Sequence, residues 1–447
     1  MCYSIPQYRG GIVKKIFLGG PAACGIHFEK DMIKLYLSNH KLAELTKDYT
    51  EADIIVVIDT CMSTYDSIIG SLSYINELYC NKKSEAKVIV SGCLTRNINF
   101  ELPGKCKDFL NKLTLIPSNK IIEYVMNELK YELNETILED FELPYSIKNN
   151  SVATSIVSGC LNNCSFCKKN FIDFNLESIP FHRIEKMSSE IDKLNSDGYP
   201  IYSLAIQSSN LSLYGVDLYR EQKCHDAIST LTKSESIKFT QLGAIINWYP
   251  ELINEIINNP KIKTVFTSLE SGSERIYNLM NRPISLNKLV ETIKTIKKYR
   301  PDIIIDTEFI CGYPTETIED LKKTIELVQE LDVNPLFIHP YHNSLQLPSS
   351  SLPQHSFNYN TECFYYANEK VQKLKSNQAE RIKNGDMVVI DKYDHCNAYA
   401  VLLINGGVTN IRFDQLDREY NIGDIIPGGS LINKQLARKR EKNKKAY

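Results

Sequence analysis

The sequence predicts an α/β protein with an N-terminal open α/β domain, a partial (β/α)6 barrel and a small C-terminal all-β module. The main observation is that short apolar runs alternate with segments of helical spacing as far as Tyr341. The second is that six of these runs fall in one block, two fewer than a closed (β/α)8 barrel needs. The third is a final set of short β-type segments separated by turn residues.

Residues 1–145 are predicted to form the open α/β domain. Their apolar runs are continuous rather than alternating, which is typical of parallel strands buried on both faces. Helical spacing at residues 29–39, 68–78 and 121–133 places helices between and after the strands, and this order indicates a doubly wound fold. The predicted strands are KKIFLGG (residues 14–20), ADIIVVIDT (52–60) and KVIVSG (87–92).

The partial barrel is predicted over residues 146–345. Six β/α units leave one side open, and an open side would admit a macromolecular or peptide substrate. The predicted strands are VATSIV (152–157), IYSLAI (201–206), FTQLGAI (239–245), TVFTSLE (264–270), IIIDTEFI (303–310) and LFIHPY (336–341).

The C-terminal part begins with a linker over residues 346–384, made of a breaker-rich connector and a helix at about 361–382. Four β-type segments then predict a small β module over residues 385–433. The final residues, 434–447, are strongly basic and are predicted to form a disordered tail.

The composition is that of an ordinary globular protein, with 43% hydrophobic and 24% charged residues and a formal net charge of −2. No apolar run has the length of a membrane span, and the first residues lack a signal-peptide pattern. The 13 cysteines, an odd number in a long chain, do not form the pattern of a secreted disulfide framework. We therefore expect a cytoplasmic protein with no membrane partner, whose thiols are reduced and partly used as metal ligands.

The stretch SGCLNNCSFCKK carries Cys160, Cys164 and Cys167 in a C-x3-C-x2-C pattern directly after a predicted strand. Three thiolates in one short loop can hold three irons of a 4Fe–4S cluster and leave the fourth iron open for a small ligand. A zinc knuckle or a redox pair is the alternative, but zinc sites usually need a second cysteine or histidine pair, and none lies nearby. The spacing therefore predicts a 4Fe–4S cluster.

Each predicted N-terminal strand is followed by a cysteine, namely Cys24, Cys61 and Cys93. The carboxyl ends of the strands in an open α/β sheet meet at one edge, where ligands bind. We expect these three thiols to hold a second 4Fe–4S cluster. The alternative is three unrelated buried thiols, because cysteine is among the most buried residue types.

The cysteine motif resembles that of the radical S-adenosylmethionine (SAM) enzymes. With the N-terminal cysteines, the chain resembles the radical SAM methylthiotransferases of the MiaB/RimO type. The family's other motifs have counterparts here in the same order: the strand ending in ADIIVVIDTC, LYGVDLY (213–219), LESGSERIYNLMNR (269–282) and CGYPTET followed by EDL. The resemblance implies an N-terminal methylthiotransferase domain, a radical SAM partial barrel and a C-terminal TRAM-like module.

The resemblance also implies a mechanism. The cluster on the C-x3-C-x2-C loop would donate one electron to SAM, and the 5′-deoxyadenosyl radical would take hydrogen from an unactivated substrate carbon. The auxiliary cluster would supply or carry sulfur, which a second SAM methylates. The implied partners are an electron donor such as flavodoxin or ferredoxin and a sulfide source.

Seven further residues are implied to bind SAM: Phe166 near the adenine, Gln207 and Ser209 near the methionine end, Glu270 and Ser271 after the fourth barrel strand, and Gly312 and Glu316 near the adenine. A purely structural interpretation is a helix-terminal carboxylate for Glu270 and a plain turn for Gly312.

The chain departs from the family pattern where substrate would approach. No Arg-Gly-Arg-Glu-like run follows Cys167, Glu270 stands where the family has Gln, and YHNSLQLPSS replaces a Tyr-Ser-x-Arg-x-Gly-Thr-like segment. These departures bear on the substrate more than on the chemistry.

The predicted β module has seven acidic and three basic residues between positions 385 and 432, a net charge of −4. Phosphate contacts dominate RNA affinity, so this charge favours a polypeptide substrate, either a ribosomal protein or a peptide. The same chemistry on a tRNA adenosine is the second hypothesis, and the basic tail is the feature that favours it. A third hypothesis is a two-cluster radical SAM enzyme without sulfur transfer, and a fourth is a non-enzymatic zinc- and RNA-binding protein.

Overall fold

A computed structural model describes residues 13–21, 30, 33–34, 37, 42–61, 65–95, 104–129, 145–168, 175–344, 346–393, 397–416, 418–428 and 430. The predicted basic tail and Cys24 lie outside these residues, as does most of the predicted helix at 29–39. The chain divides into two compact units. The first comprises Met1–Ser146, Ser165–Asn175 and His342–Ser351, and the second comprises Ile147–Cys164, Leu176–Tyr341 and Leu352–Tyr447.

The first unit contains a five-stranded parallel sheet in the order β2-β1-β3-β4-β5. This is the 2-1-3-4-5 order of doubly wound α/β folds. The three predicted strands are present, but β2 and β5 were not predicted, because each has at most three residues and neither is an apolar run. The strands are β1 (Lys15–Gly19), β2 (Glu44–Thr46), β3 (Ile54–Thr60), β4 (Lys87–Gly92) and β5 (Thr114–Leu115).

The described residues of the first unit include the helices α1 (Tyr65–Asn81), α2 (Gly104–Leu110) and α3 (Ile121–Glu128), which accompany this sheet. Alternate side chains of β3 belong to two different hydrophobic cores, one shared with α3 and the other with α1. Burial on both faces is the physical reason for the continuous apolar run in this strand.

The second unit contains a seven-stranded sheet in the order β14-β13-β12-β11-β10-β7-β6. The neighbours from β7 to β14 are parallel, and each of the six predicted segments overlaps one of these strands. A short antiparallel pair, β8 with β9, follows β7. The strands are β6 (Tyr145–Lys148), β7 (Ser151–Ser155), β8 (Val157–Ser158), β9 (Glu177–Ser178), β10 (Ser203–Gln207), β11 (Phe239–Ala244), β12 (Ile262–Glu270), β13 (Ile304–Cys311) and β14 (Asn334–Pro340).

The two faces of this sheet differ in chemistry. On β13, Ile305, Thr307, Phe309 and Cys311 are at most 1% exposed, whereas the alternating Asp306 and Glu308 are only partly buried. One face is therefore closely packed, and the other carries partly exposed polar groups. The helices between the strands are α4 (Phe181–Ser196), α5 (Val216–Tyr219), α6 (Cys224–Leu231), α7 (Pro250–Asn258), α8 (Glu274–Leu279), α9 (Leu286–Tyr299) and α10 (Ile318–Glu330).

The linker helix α11 (Phe357–Lys383) packs against β14, β13 and α10. It begins four residues before its predicted start, because the Ser356 hydroxyl caps it by accepting a hydrogen bond from the Tyr359 N–H at 3.2 Å. None of the helices in the described part of the chain has both the length and the apolar character needed to cross a membrane.

The C-terminal part of the second unit is a four-stranded antiparallel sheet in the order β17-β16-β15-β18. One core lies within it, and another joins it to Tyr202, Phe239 and Ile304. These three residues stand at the amino ends of β10, β11 and β13, so this sheet packs at the end opposite to the strand carboxyl ends. Its strands are β15 (Met387–Tyr393), β16 (Ala398–Leu403), β17 (Val408–Arg412) and β18 (Ile425–Ile426).

Candidate cluster and cofactor site

The C-x3-C-x2-C loop begins directly after β8. Gly159 makes the turn with φ of 82°, a left-handed conformation that glycine adopts without strain. Cys164 is buried, and Cys160 and Cys167 are partly buried. Cys160 and Cys164 belong to the second unit, whereas Cys167 lies in Ser165–Asn175, which belongs to the first.

Hydrogen-bond donors surround two of these sulfurs. Cys160 Sγ accepts from the Asn162 N–H at 3.4 Å and from Asn210 Nδ2 at 3.5 Å, and Cys164 Sγ accepts from Arg282 Nη1 at 3.3 Å. Donors aimed at sulfur stabilise thiolates and tune iron–sulfur clusters. These residues therefore fit the role of cluster ligands.

The described residues contain no group of three or more His, Cys, Asp or Glu side chains arranged to hold a metal ion.

A network of asparagines connects the cysteine loop to the second unit's sheet. Asn247 Oδ1 accepts from Asn162 Nδ2 at 2.8 Å and from Asn210 Nδ2 at 2.7 Å. Ser212 Oγ donates to Asn210 Oδ1 at 2.6 Å and accepts from the Asn247 N–H at 3.0 Å. Sequence reasoning missed these residues, because an isolated asparagine in a loop is indistinguishable from an ordinary turn residue.

The predicted residues Gln207 and Ser209 lie at the carboxyl end of β10. Gln207 is exposed there, and its backbone is in register with Ser155 of the neighbouring β7. Ser209 is half-buried, as is Phe166 in the cysteine loop. The structure thus leaves Gln207 accessible at the strand end where the resemblance implies a SAM contact.

Glu270 is the last residue of β12 and has φ of 63°. It is 5% exposed, and its Oε1 lies 3.6 Å from Arg282 Nη1 in a buried ion pair. The adjacent Ser271 is fully buried, and its Oγ accepts from the Ser273 N–H at 3.2 Å. Glu270 therefore faces the arginine that contacts Cys164, and Ser271 holds the turn into α8.

Gly312 and Glu316 form a tight loop after β13. Gly312 has φ of 72°, and a Cβ there would lie 2.3 Å from Asn360 Oδ1, so only glycine fits. The Gly312 N–H donates to Glu316 Oε2 at 2.6 Å, while Glu316 Oε1 has no hydrogen-bond partner within the described part of the chain. Burial and the nearby Asp320 charge raise the pKa of Glu316 to about 8, so this carboxyl is protonated at neutral pH.

The raised pKa of Glu316 predicts a dependence of stability on pH. The folded chain holds this proton more tightly than the unfolded chain, so the contribution is complete below about pH 4.5 and is lost as the pH rises towards 8. Within that window, we expect wild type to lose about 1.4 kcal/mol of unfolding free energy per pH unit relative to Glu316→Gln.

Urea unfolding at about pH 5.5 and about pH 7.5 measures this difference. The fluorescence of Trp248, the only tryptophan and 3% exposed, reports on the second unit. Glu319→Gln on the exposed face of α10 is the matched control. Equal pH dependence in wild type and Glu316→Gln would contradict the prediction.

Glu308 and His339 form a second ionic pair on the polar face of the sheet. Glu308 accepts from Ser268 Oγ at 2.6 Å and contacts His339 Nε2 at 3.2 Å. Burial disfavours the charged form of both groups, but the attraction and hydrogen bond between them favour it more strongly. The pKa of Glu308 is therefore lowered and that of His339 is raised. In the sequence, His339 is an isolated histidine that belongs to no recognisable motif.

Two of the N-terminal cysteines directly follow strand residues that are paired in the first unit's sheet. Cys61 follows Thr60 and Cys93 follows Gly92, and Thr60 and Gly92 are register partners in β3 and β4. Cys61 is 1% exposed, and its N–H donates to Ser71 Oγ at 3.0 Å. The third predicted ligand, Cys24, lies outside the described residues.

Comparison with known proteins identifies the domain that carries the cysteine loop. The radical SAM superfamily model matches residues 154–328, from β7 into α10. The ribosomal protein uS12 methylthiotransferase RimO of Clostridium botulinum is 27% identical over 330 residues, covering 69% of this chain and 71% of the relative. The matched domain makes the chain a radical SAM enzyme, and its similarity to these relatives supports a divergent MiaB/RimO-like member.

Relatives of this radical SAM enzyme fall into two named groups. RimO of Carboxydothermus hydrogenoformans is 29% identical over 313 residues, covering 68% of this chain and 69% of the relative. The tRNA-2-methylthio-N(6)-dimethylallyladenosine synthase of Thermotoga petrophila is 28% identical over 303 residues, covering 65% and 66%. Among solved structures, the cobalamin-dependent radical SAM enzyme OxsB with aqua-cobalamin and SAM bound has a TM-score of 0.48 at 11% identity, covering 82% of this chain and 56% of that one.

Arg282 is the contact of the cysteine loop that sequence reasoning came closest to finding. It ends the LESGSERIYNLMNR segment, which carries part of the family resemblance. Only the folded structure shows that it contacts a cysteine 118 positions earlier in the chain.

Proposed function

We propose that this radical SAM enzyme is a methylthiotransferase that places sulfur at an unactivated C–H bond of a polypeptide side chain and methylates it. The substrate would be a ribosomal protein or a peptide. The observation that carries the choice of substrate is the net charge of −4 on residues 385–432. Relatives named for uS12 and for a tRNA adenosine match the chain at similar identity.

The proposed SAM-binding 4Fe–4S cluster is held by Cys160, Cys164 and Cys167. Their spacing supports this, as do the N–H donors directed at the first two sulfurs. When bound, the cluster and SAM would supply the one-electron chemistry that activates an unreactive C–H bond. The chain would position SAM through Phe166, Gln207, Ser209, Glu270, Ser271, Gly312 and Glu316.

The protein's own groups have positioning roles in this proposal. The Asn162–Asn247–Asn210 network fixes the start of the cysteine loop. The protonated Glu316 carboxyl holds the Gly312 turn next to the proposed adenine site. Because these groups are buried or partly buried and are hydrogen-bonded, they can hold SAM in one orientation and exclude water.

A second 4Fe–4S cluster is proposed on Cys24, Cys61 and Cys93 as the source or carrier of sulfur. The support is the pairing of Thr60 with Gly92, which starts Cys61 and Cys93 from neighbouring strand ends. An electron donor such as flavodoxin or ferredoxin and an external sulfide source would complete the reaction.

We also assign the second unit's architecture to the partial (β/α)6 radical SAM barrel and a TRAM-like module. The six parallel strands β7 and β10–β14 support the barrel, and β14 and β6 are its two edges in the described chain. The antiparallel sheet of β15–β18 supports the module.

The contacts of the module's basic residues favour a polypeptide substrate over RNA. The Lys392 ammonium lies 5.4 Å from the Phe413 ring centre, and the Arg418 guanidinium lies 4.9 Å from the Tyr420 ring centre. Arg412 Nε lies 3.6 Å from Asp414 Oδ1. Each cation is thus engaged within the module, whereas RNA binding relies on cations that contact phosphate.

The substrate class is tested by incubating the anaerobically reconstituted enzyme with SAM and either ribosomal proteins or total tRNA. Mass spectrometry then detects an added methylthio group, and Cys164→Ala provides the inactive control. A methylthio mass on a protein side chain supports the proposal, and one on tRNA nucleosides overturns the polypeptide assignment. Cleavage of SAM with no methylthio product would favour a radical SAM enzyme without sulfur transfer, and a colourless zinc protein would remove the enzymatic assignment.

A further inference from the structure

We infer that Glu270 and Arg282 form a charge pair that sets the reduction potential of the cluster proposed on the Cys164 loop, with Glu270 offsetting the positive charge of Arg282 to keep that potential low. The inference rests on the proposed function, because it requires that cluster. It assigns Glu270 a role distinct from the SAM contact that the family resemblance implies.

Arg282 is placed to act on the cluster through a ligand sulfur. Its side chain is 3% exposed, Nη1 lies 3.3 Å from Cys164 Sγ, and Nη2 donates to the Ser268 carbonyl at 2.9 Å. A guanidinium keeps its positive charge throughout the pH range in which proteins are folded. A fixed positive charge therefore lies next to one cluster ligand.

Glu270 places a negative charge next to the positive charge of Arg282. Its carboxylate is 6% exposed, and Oε1 lies 3.6 Å from the same Nη1 atom that contacts Cys164. The backbone at Glu270 is left-handed, with φ of 63°, and the pairing of β12 with β13 shifts register at this point. A non-glycine residue in this conformation is strained, so the strand end is deformed where it delivers the carboxylate to Arg282.

The sign of each charge determines its effect on the potential. Reduction adds a negative charge to the cluster, so a nearby cation favours the reduced state and a nearby anion disfavours it. Burial leaves little solvent to screen these charges. The pair of Glu308 with His339 at 3.2 Å carries both signs when the histidine is protonated, and its charges then largely cancel. Arg282 should therefore raise the potential and Glu270 should lower it.

The test is an EPR-monitored redox titration of the reconstituted full-length protein. The SAM-binding cluster is identified by the change that SAM causes in its EPR signal. Glu270→Gln keeps the side-chain shape and removes the charge, and Arg282→Gln removes the opposing charge. Glu274→Gln, on the exposed start of α8, is the matched control for loss of one carboxylate.

We expect Glu270→Gln to shift the reduction equilibrium at least tenfold towards the reduced cluster, which is about 59 mV for a one-electron couple. Arg282→Gln should shift it in the opposite direction, the double variant should lie between them, and Glu274→Gln should match wild type. A purely structural role for Glu270 would free Arg282 from the site and would not raise the potential.

Different results would contradict the charge-pair inference and the proposed function. A SAM-sensitive signal whose potential is unchanged in Glu270→Gln would overturn the charge-pair inference and leave the proposed function intact. Absence of a SAM-sensitive signal from wild type would overturn the proposed function and the inference together. If Arg282→Gln does not fold, the direction in which Glu270→Gln shifts the reduction potential still tests the charge-pair inference.

Discussion

Replacing Cys164 with alanine is expected to remove about four irons per chain and to reduce SAM cleavage to the background level. The Cys164 thiol is buried, and its sulfur contacts the Arg282 guanidinium. Because a guanidinium is a cation, it cannot bind iron in place of the lost sulfur. Two remaining thiolates in the loop would leave the cluster open at two irons and labile. Iron analysis and measurement of 5′-deoxyadenosine after reduction test both parts.

The control for this prediction is Cys80→Ala. Cys80 is an exposed thiol on α1, remote in sequence from the loop of Cys160, Cys164 and Cys167, so its loss should change neither iron content nor SAM cleavage. If Cys164→Ala keeps the wild-type iron content and cleaves SAM at the wild-type rate, the assignment of the C-x3-C-x2-C loop is wrong.

The second large effect is expected from the double variant Cys61→Ala/Cys93→Ala. Iron should fall from about eight to about four per chain, SAM cleavage should persist, and methylthio transfer should be lost. The reason is geometric: Thr60 and Gly92 are paired, so the two cysteines that follow them leave the sheet side by side. Removing both takes away two of the three proposed auxiliary ligands and keeps the SAM site.

Cys106→Ala is the matched control, because Cys106 is a partly buried thiol of the same unit that lies on α2 and not at the strand edge. Iron near four per chain in both wild type and the double variant would mean that Cys61 and Cys93 are structural. The protein would then be a single-cluster radical SAM enzyme, and the methylthiotransferase assignment would fall.

The strands and the cysteine motifs were predictable because their information lies in consecutive residues. The run that forms β3 is apolar over its first five positions since both of its faces are buried, and the six parallel strands of the second unit were found in the same way. The spacing of Cys160, Cys164 and Cys167 indicates chemistry without any knowledge of the fold. By contrast, β2 and β5 are too short and too little buried to show a recognisable hydrophobic pattern in the sequence.

The surroundings of the cysteines could not be predicted, because they depend on which strand ends meet in space. Arg282 contacts Cys164 across 118 positions, and Asn247 binds Asn162 across 85 positions, through loops whose own sequences are unremarkable. Glu270 was recognised from a motif, but its pairing with Arg282 follows from a left-handed residue at the end of β12. The identity of the proposed ligands is thus encoded locally, whereas the charges and hydrogen bonds around them arise from the order of strands in the sheet.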